Sequence, residues 1–349
     1  MKSRKMLAIV PPIAGLLILL VLIGDWGCKK EEGPTAPVIT AITANGNFVA
    51  QSRTQVTGTL FVVDQNGNPV AGLTAQNLAA RLRWLPKGAG AAGEVVGTVN
   101  IQSFSSAGKN IAVALTMDYS GSMFVGPVDS ANPLKRKRIA DMERATKTFV
   151  SNMRSGDVAE IIKFGTSVEV VQPFTSNKNA LFAAIDTNSY SRGMTALYQS
   201  IYQGLVDAAQ QSASSYARAV VAFTDGGENN STVSRGEMLQ QSFSNGIPVY
   251  TVGLLDSSDH STPPGLNSHE EWDLVNIADT TGGFYFYAPS AAEMTQIYQR
   301  ISGQIQGGYT VTISWPSAGL PPSGTTVTMT LTVSVGGVST TITRSYTMP

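Results

Sequence analysis

Asp118, Ser120 and Ser122 stand at alternate positions in "MDYSGSM", directly after the apolar run "NIAVALT". A carboxylate and two hydroxyls at that spacing could do three things. They could cap a turn at a strand end, supply a serine nucleophile, or give oxygens to a metal ion. Asp225, in "FTDGGENN", follows a second apolar run, "ARAVVAF", and Thr195, in "SRGMTALYQSI", enters a helical pattern where threonine is also a reasonable N-cap. Together these residues offer two carboxylates and three hydroxyls, an all-oxygen set suited to a hard divalent ion, Mg²⁺ or Mn²⁺. Mg²⁺ takes about six oxygens, and neutral hydroxyls do little to offset its charge. Such a site keeps an open position for an anionic oxygen from outside. The Asp or Glu side chain of a protein ligand would supply it.

Catalytic chemistry has less support in the sequence. No G-x-S-x-G surrounds Ser120, and the only two histidines, His260 and His269, lie in a Pro/Ser-rich stretch. Ser106-x-x-Lys109 lacks companion motifs, and "SAGKN" lacks the earlier glycine of a phosphate loop. "HEEW" (269–272) lacks the second histidine of a zinc helix and reads as a solvated loop. The expected protein is therefore not an enzyme. A metal-assisted hydrolase on the same carboxylates is the alternative, without an evident general base. A structural envelope protein that does not need its metal is another. The basic run Lys135–Arg138 is an unhelpful charge at a helix start. It reads either as a solvated surface or as an aid to an acidic ligand.

The elements that must position these residues follow from periodicity. "NIAVALTMD" reads as a buried strand, and "RIADMERATKTFVSNM" places Ile139, Met142, Phe149, Val150 and Met153 at helical spacing. Strands then alternate with helices through "AAEMTQIYQRISGQI", which argues for a doubly wound, mostly parallel α/β sheet over 108–306. In such sheets, ligands bind where loops converge beyond the carboxyl ends of the strands. Residues 38–107 and 307–349 read as β regions. In "TVTMTLTVSV", Val327, Met329, Leu331, Val333 and Val335 alternate with Thr and Ser. The two regions are expected to pair into one β-sandwich with the α/β domain inserted between them; two small separate β modules are the alternative.

Asp118-x-Ser120-x-Ser122, Thr195 in "GMTALY" and Asp225 in "FTDGGEN" together resemble the von Willebrand factor type A domain and its metal-ion-dependent adhesion site. The resemblance spans about residues 108–305. It implies a Rossmann-like fold and adhesive binding. It also implies that Ser120, Ser122 and Thr195 ligate the metal directly, and Asp118 and Asp225 directly or through water. The departure is "FVGPVDSANPLKRKR", which lengthens the loop before the first helix. "FVVDQNGNPVAGLTAQNL" resembles, less specifically, a β region that precedes this domain in some bacterial surface proteins.

Composition frames the setting. The chain has 349 residues, 42% hydrophobic and 14% charged, so it is globular, and with 24 basic and 24 acidic residues it is formally neutral. No long-range field is available for nucleic acid, and recognition must be local. Lys2, Arg4 and Lys5 precede an apolar run from Met6 to Ile23, and the single cysteine, Cys28, excludes an intrachain disulfide. This arrangement, with "KKEEGPTAP" behind it, resembles a bacterial lipoprotein signal, although Asp25 stands where an aliphatic residue is usual. The resemblance implies lipidation of Cys28; an uncleaved helical anchor is the alternative. Residues 1–28 are then the signal or anchor and 29–37 a flexible linker. Either anchor would leave the rest at the bacterial cell envelope, facing outside the cytoplasm in the periplasm or on the surface.

Overall fold

The first four strands are β1 (Ile42–Ser52), β2 (Gln55–Asp64), β3 (Leu78–Trp84) and β4 (Gly93–Ser103). In β3, Leu78, Ala80 and Leu82 are buried while the residues between them face solvent, the period of a sheet with one covered face. The computed structural model describes residues 38–85, 92–186, 193–289 and 291–349. The readings of residues 1–37 as anchor and linker, Cys28 included, fall outside these residues.

The α/β region begins with β5 (Asn110–Asp118), buried from Ile111 onward as its continuous apolar run requires. Next come α1 (Lys137–Asn152), β6 (Val158–Phe164), β7 (Val168–Thr175), α2 (Lys178–Asp186), α3 (Leu197–Ala209) and β8 (Tyr216–Thr224). They are followed by α4 (Arg235–Asn245), β9 (Val249–Gly253), α5 (His269–Thr281), β10 (Tyr285–Tyr287) and α6 (Ala291–Gln306). The sheet order is β10-β9-β8-β5-β6-β7, parallel except for the β6–β7 hairpin at one edge. One apolar cluster joins α1, α2 and α6 to one face, and a second joins α3, α4 and α5 to the other. Local signals set the helix ends. Ser234 accepts from the Glu237 amide while Glu237 returns to the Ser234 amide, and Gly246 closes α4 in the left-handed region.

The chain leaves β5 through α1 toward β6, then returns past β7, α2 and α3 to β8 on the other side of β5. The switch point therefore lies between β5 and β8, and Asp118 and Asp225 stand at the ends of those two strands.

Three strands complete the chain: β11 (Tyr309–Ser314), β12 (Thr326–Val335) and β13 (Val338–Thr347). They interleave with the first four in one antiparallel sheet, ordered β1-β2-β11-β4-β3-β12-β13. The two β regions expected to pair do share one strand order and one core, and the ladder changes partner within β4, which belongs to both halves. Gly93–Gly97 pair with β3, and Thr98–Ser103 pair with β11. Gly97 sits at that change, where an added Cβ would lie 2.6 Å from the Trp315 ring and 2.8 Å from Ile313 Cγ2. The ring edge fills the space a side chain would need. Tyr309 and Trp315 are buried in this core.

Candidate metal centre

Asp118 is fully buried at the end of β5, and both of its oxygens accept hydrogen bonds. Oδ1 takes the Ser120 amide at 2.6 Å, the local loop expected of an Asp two residues before a hydroxyl. Oδ2 takes the Thr224 hydroxyl at 2.6 Å, which fixes the end of β5 to the end of β8. Ser120 then starts a short 3₁₀ turn over Gly121–Phe124. Its hydroxyl lies 3.1 Å from that of Ser122, and Ser122 Oγ donates to Asp225 Oδ1 at 2.6 Å. Four of the five residues singled out in the sequence thus form one continuous polar chain across two loops.

The third loop docks through its backbone. The Gly121 amide donates to the Gly193 carbonyl at 2.8 Å, and a Cβ on Gly121 would come within 3.1 Å of that oxygen. Thr195, nearly buried, gives its amide to Asn229 Oδ1 at 2.7 Å and accepts the Asn229 amide at 3.0 Å. Glu228 reinforces this clamp by accepting from the amides of Tyr198, Asn230 and Ser231. The loops after β5 and β8 and before α3 are therefore held together by groups whose roles "GGENN" carried only in part.

Electrostatics favour a cation here. Burial, and then the Asp225 charge, push the Asp118 carboxyl up to about 7, against the bonds from Thr224 and Ser120. Burial also raises Asp225, opposed by Ser122 and Arg138. Two carboxylates out of water and in each other's field are what a divalent ion would relieve. Among the described residues no group of three or more His, Cys, Asp or Glu side chains is placed to hold a metal. An ion at this site would need the hydroxyls. The oxygens of Asp118, Ser120, Ser122 and Asp225, with Thr195 on the adjoining loop, fit a hard divalent cation in donor type and charge.

Residues outside the motif complete the rim. Arg138 Nη1 donates to Asp225 Oδ2 at 2.5 Å, and Nη2 pairs with Asp256 beyond β9. The basic run is not a free patch. Lys135 pairs with Glu143, Lys137 with Asp141 at 2.5 Å, and Arg136 donates to the Gly126 carbonyl at 3.0 Å. The lengthened loop after β5 is an ordered structure in which Asp129 receives two bonds from Arg144, each 3.0 Å, and pairs its backbone with Lys135. Tyr119, fully buried between the motif's Asp and Ser, donates to Glu143 Oε1 at 3.0 Å.

Two other sequence readings resolve clearly. "HEEW" is not a solvated loop but the first turn of α5, with Ser268 as its N-cap. Glu271 within it is buried and accepts from Ser261, Gly265 and Tyr285, with His260 Nδ1 at 2.5 Å. Ser106 and Lys109 turn to different backbone carbonyls, those of Ser103 and Ala213, so their spacing carries no chemistry.

Residues 113–228 match the family model of the von Willebrand factor type A domain. The α/β unit has the von Willebrand factor type A fold. No curated protein matches the chain. Among solved structures it is similar to an aerotolerance-related membrane protein from Bacteroides fragilis, at 19% identity and a TM-score of 0.44, covering 56% of this chain and 98% of that one. It is also similar to a von Willebrand factor type A protein from Catenulispora acidiphila, at 12% identity and 0.45, covering 89% and 73%. A third similar structure is proximal thread matrix protein 1 of the mussel byssus, solved with zinc in its MIDAS motif, at 18% identity and 0.43, covering 61% and 49%.

Proposed function

We propose that this von Willebrand factor type A domain binds a protein ligand at the bacterial cell envelope through a divalent cation, Mg²⁺ or Mn²⁺. Asp118, Ser120, Ser122, Thr195 and Asp225 hold the cation, and an acidic side chain of the ligand completes it. The observation that carries this reading is the polar chain from Thr224 through Asp118, Ser120 and Ser122 to Asp225. It gathers hydroxyls and two buried carboxylates at the sheet's switch point, with no third carboxylate among the described residues placed to satisfy the ion internally. A bound divalent ion would supply a Lewis-acidic position for an external carboxylate. The protein's own part is to hold those oxygens in place and keep Asp118 dry.

The function is binding rather than catalysis. His260 gives Nδ1 to Glu271 and stacks on Tyr287 with ring centres 3.7 Å apart, so it is committed to the loop before α5 rather than to either serine. Lipidation of Cys28 would tether the domain to the membrane and set it outside the cytoplasm. Among the described residues no helix is long and apolar enough to cross a membrane.

The test is capture of envelope proteins on the immobilised chain in Mg²⁺, followed by elution with chelator. A ligand eluted by chelator from the native chain, but absent from an Asp118→Ala column, supports the reading. Equal capture by both columns refutes it.

A further inference from the structure

Arg138 touches a carboxylate on each of two loops. Its Nη1 lies 2.5 Å from Asp225 Oδ2, and its Nη2 pairs with Asp256. The two partners differ sharply: the Asp225 side chain is fully buried, whereas that of Asp256 is 71% exposed. Ser122 already donates to the other oxygen of Asp225. Both oxygens of this carboxylate are therefore engaged, one of them by a full positive charge standing where a divalent ion would need the negative charge for itself.

Three features make this contact exchangeable. Arg138 lines an open cavity of about 310 Å³ together with Val125, Pro127, Leu254, Asp256 and Met294, so open space lies beside its contact with Asp225. Its second partner, Asp256, lines the same cavity and can keep hold of it after Asp225 is released. The neighbouring cations are tied elsewhere, Lys135 to Glu143 and Lys137 to Asp141, so none of them can take its place. A planar guanidinium suits such an exchange, because its fork can serve two carboxylates at once.

We propose that Arg138 occupies Asp225 in the cation-free protein, is displaced when a divalent ion binds, and then pairs with the ligand's carboxylate from its anchor on Asp256. Arg138 is thus a positioning residue for the site and a second recognition group for the acidic ligand. This rests on the cation-binding reading above.

The test uses Mg²⁺ alone and acetate at saturating Mg²⁺ as probes, titrated calorimetrically and by NMR into the full chain and its Arg138→Gln and Arg138→Lys variants. Removing the competing charge should tighten Mg²⁺ about tenfold and weaken acetate at least threefold. The Arg138 Nε–H resonance of the native chain should move on adding Mg²⁺. Lysine, which keeps the charge but loses the fork, should hold acetate less well than arginine. Mg²⁺ affinity within twofold of native in Arg138→Gln, or an Nε–H resonance unmoved by saturating Mg²⁺, overturns the proposal while the cation site stands. Mg²⁺ binding by neither native chain nor variant overturns the cation reading itself, and the proposal with it. If Arg138→Gln does not fold, Asp256→Asn removes only the exposed anchor. Weakened acetate binding there supports the exchange, and unchanged acetate binding overturns it.

Discussion

Replacing Glu160 with glutamine should make the protein more stable at neutral and alkaline pH and leave it nearly unchanged in acid. Glu160 lies on β6, buried beneath α3, and its Oε2 has no hydrogen-bond partner. Burial, then the charge of Asp207 on α3 and a shared hydrogen bond with it, push its carboxyl from 4.5 up to about 9. A carboxyl raised on folding stabilises the native state fully below its unfolded value, and that contribution drains away as pH climbs toward the folded value. The window here runs from pH 4.5 to about 9. At about 1.4 kcal/mol per pH unit, ionisation in the unfolded chain costs roughly 3 kcal/mol of stability by pH 7. Glutamine keeps the shape and can still donate to Asp207, but has no proton to lose. Urea unfolding of both proteins at pH 5, 7 and 8.5, in chelator, measures the difference directly. The advantage of Glu160→Gln should grow by roughly 3 kcal/mol between pH 5 and 7 and continue to grow above it. Parallel stability profiles would refute the buried, protonated state of Glu160.

Further outcomes follow from other contacts. Asp118→Asn keeps the acceptor for the Ser120 amide and can donate to Thr224 Oγ1, whose single proton is then free to turn from residue 118 to the Gly226 carbonyl 3.0 Å away. Removing one of two neighbouring buried charges should raise the chelated protein's Tm by a few degrees, for about 1–2 kcal/mol, and abolish any rise with Mg²⁺ in calorimetric scans. Gly97→Ala drives a methyl into the Trp315 ring and should cost about 1–3 kcal/mol in chemical denaturation. Asp129→Ala releases Arg144 and the Asn132 amide, so limited proteolysis should cut between residues 125 and 136 sooner than in the native chain.

The sequence made the α/β architecture legible because its strands are continuous apolar runs and its helices carry caps such as Ser234 with Glu237. It also pointed to Asp118, Ser120, Ser122 and Asp225, whose short spacing and strand-end positions survive in one dimension. The structure added what depends on distance along the chain. Arg138 meets Asp225 across 87 residues, and Thr224 meets Asp118 across 106, with no local pattern to announce either pairing. The basic run read as available charge because its partners Glu143, Asp141 and Asp256 come from a later turn of the helix and from a remote loop. Glu271 was missed for the opposite reason. The single histidine of "HEEW" draws the eye to zinc ligation, while the helix start there is signalled by Ser268 and the acidic pair after it. The strand order of the outer β regions depends on β4 changing partners at Gly97, which strand periodicity alone does not encode.

The polar chain around Asp118, as proposed above, holds a divalent cation. Isothermal titration of Mg²⁺ into the purified, chelator-treated full-length chain tests it most directly. One saturable site per chain, lost in Asp118→Ala and weakened in Ser122→Ala, is the predicted result. No saturable binding to the native chain, or equal binding to native and both variants, would contradict it.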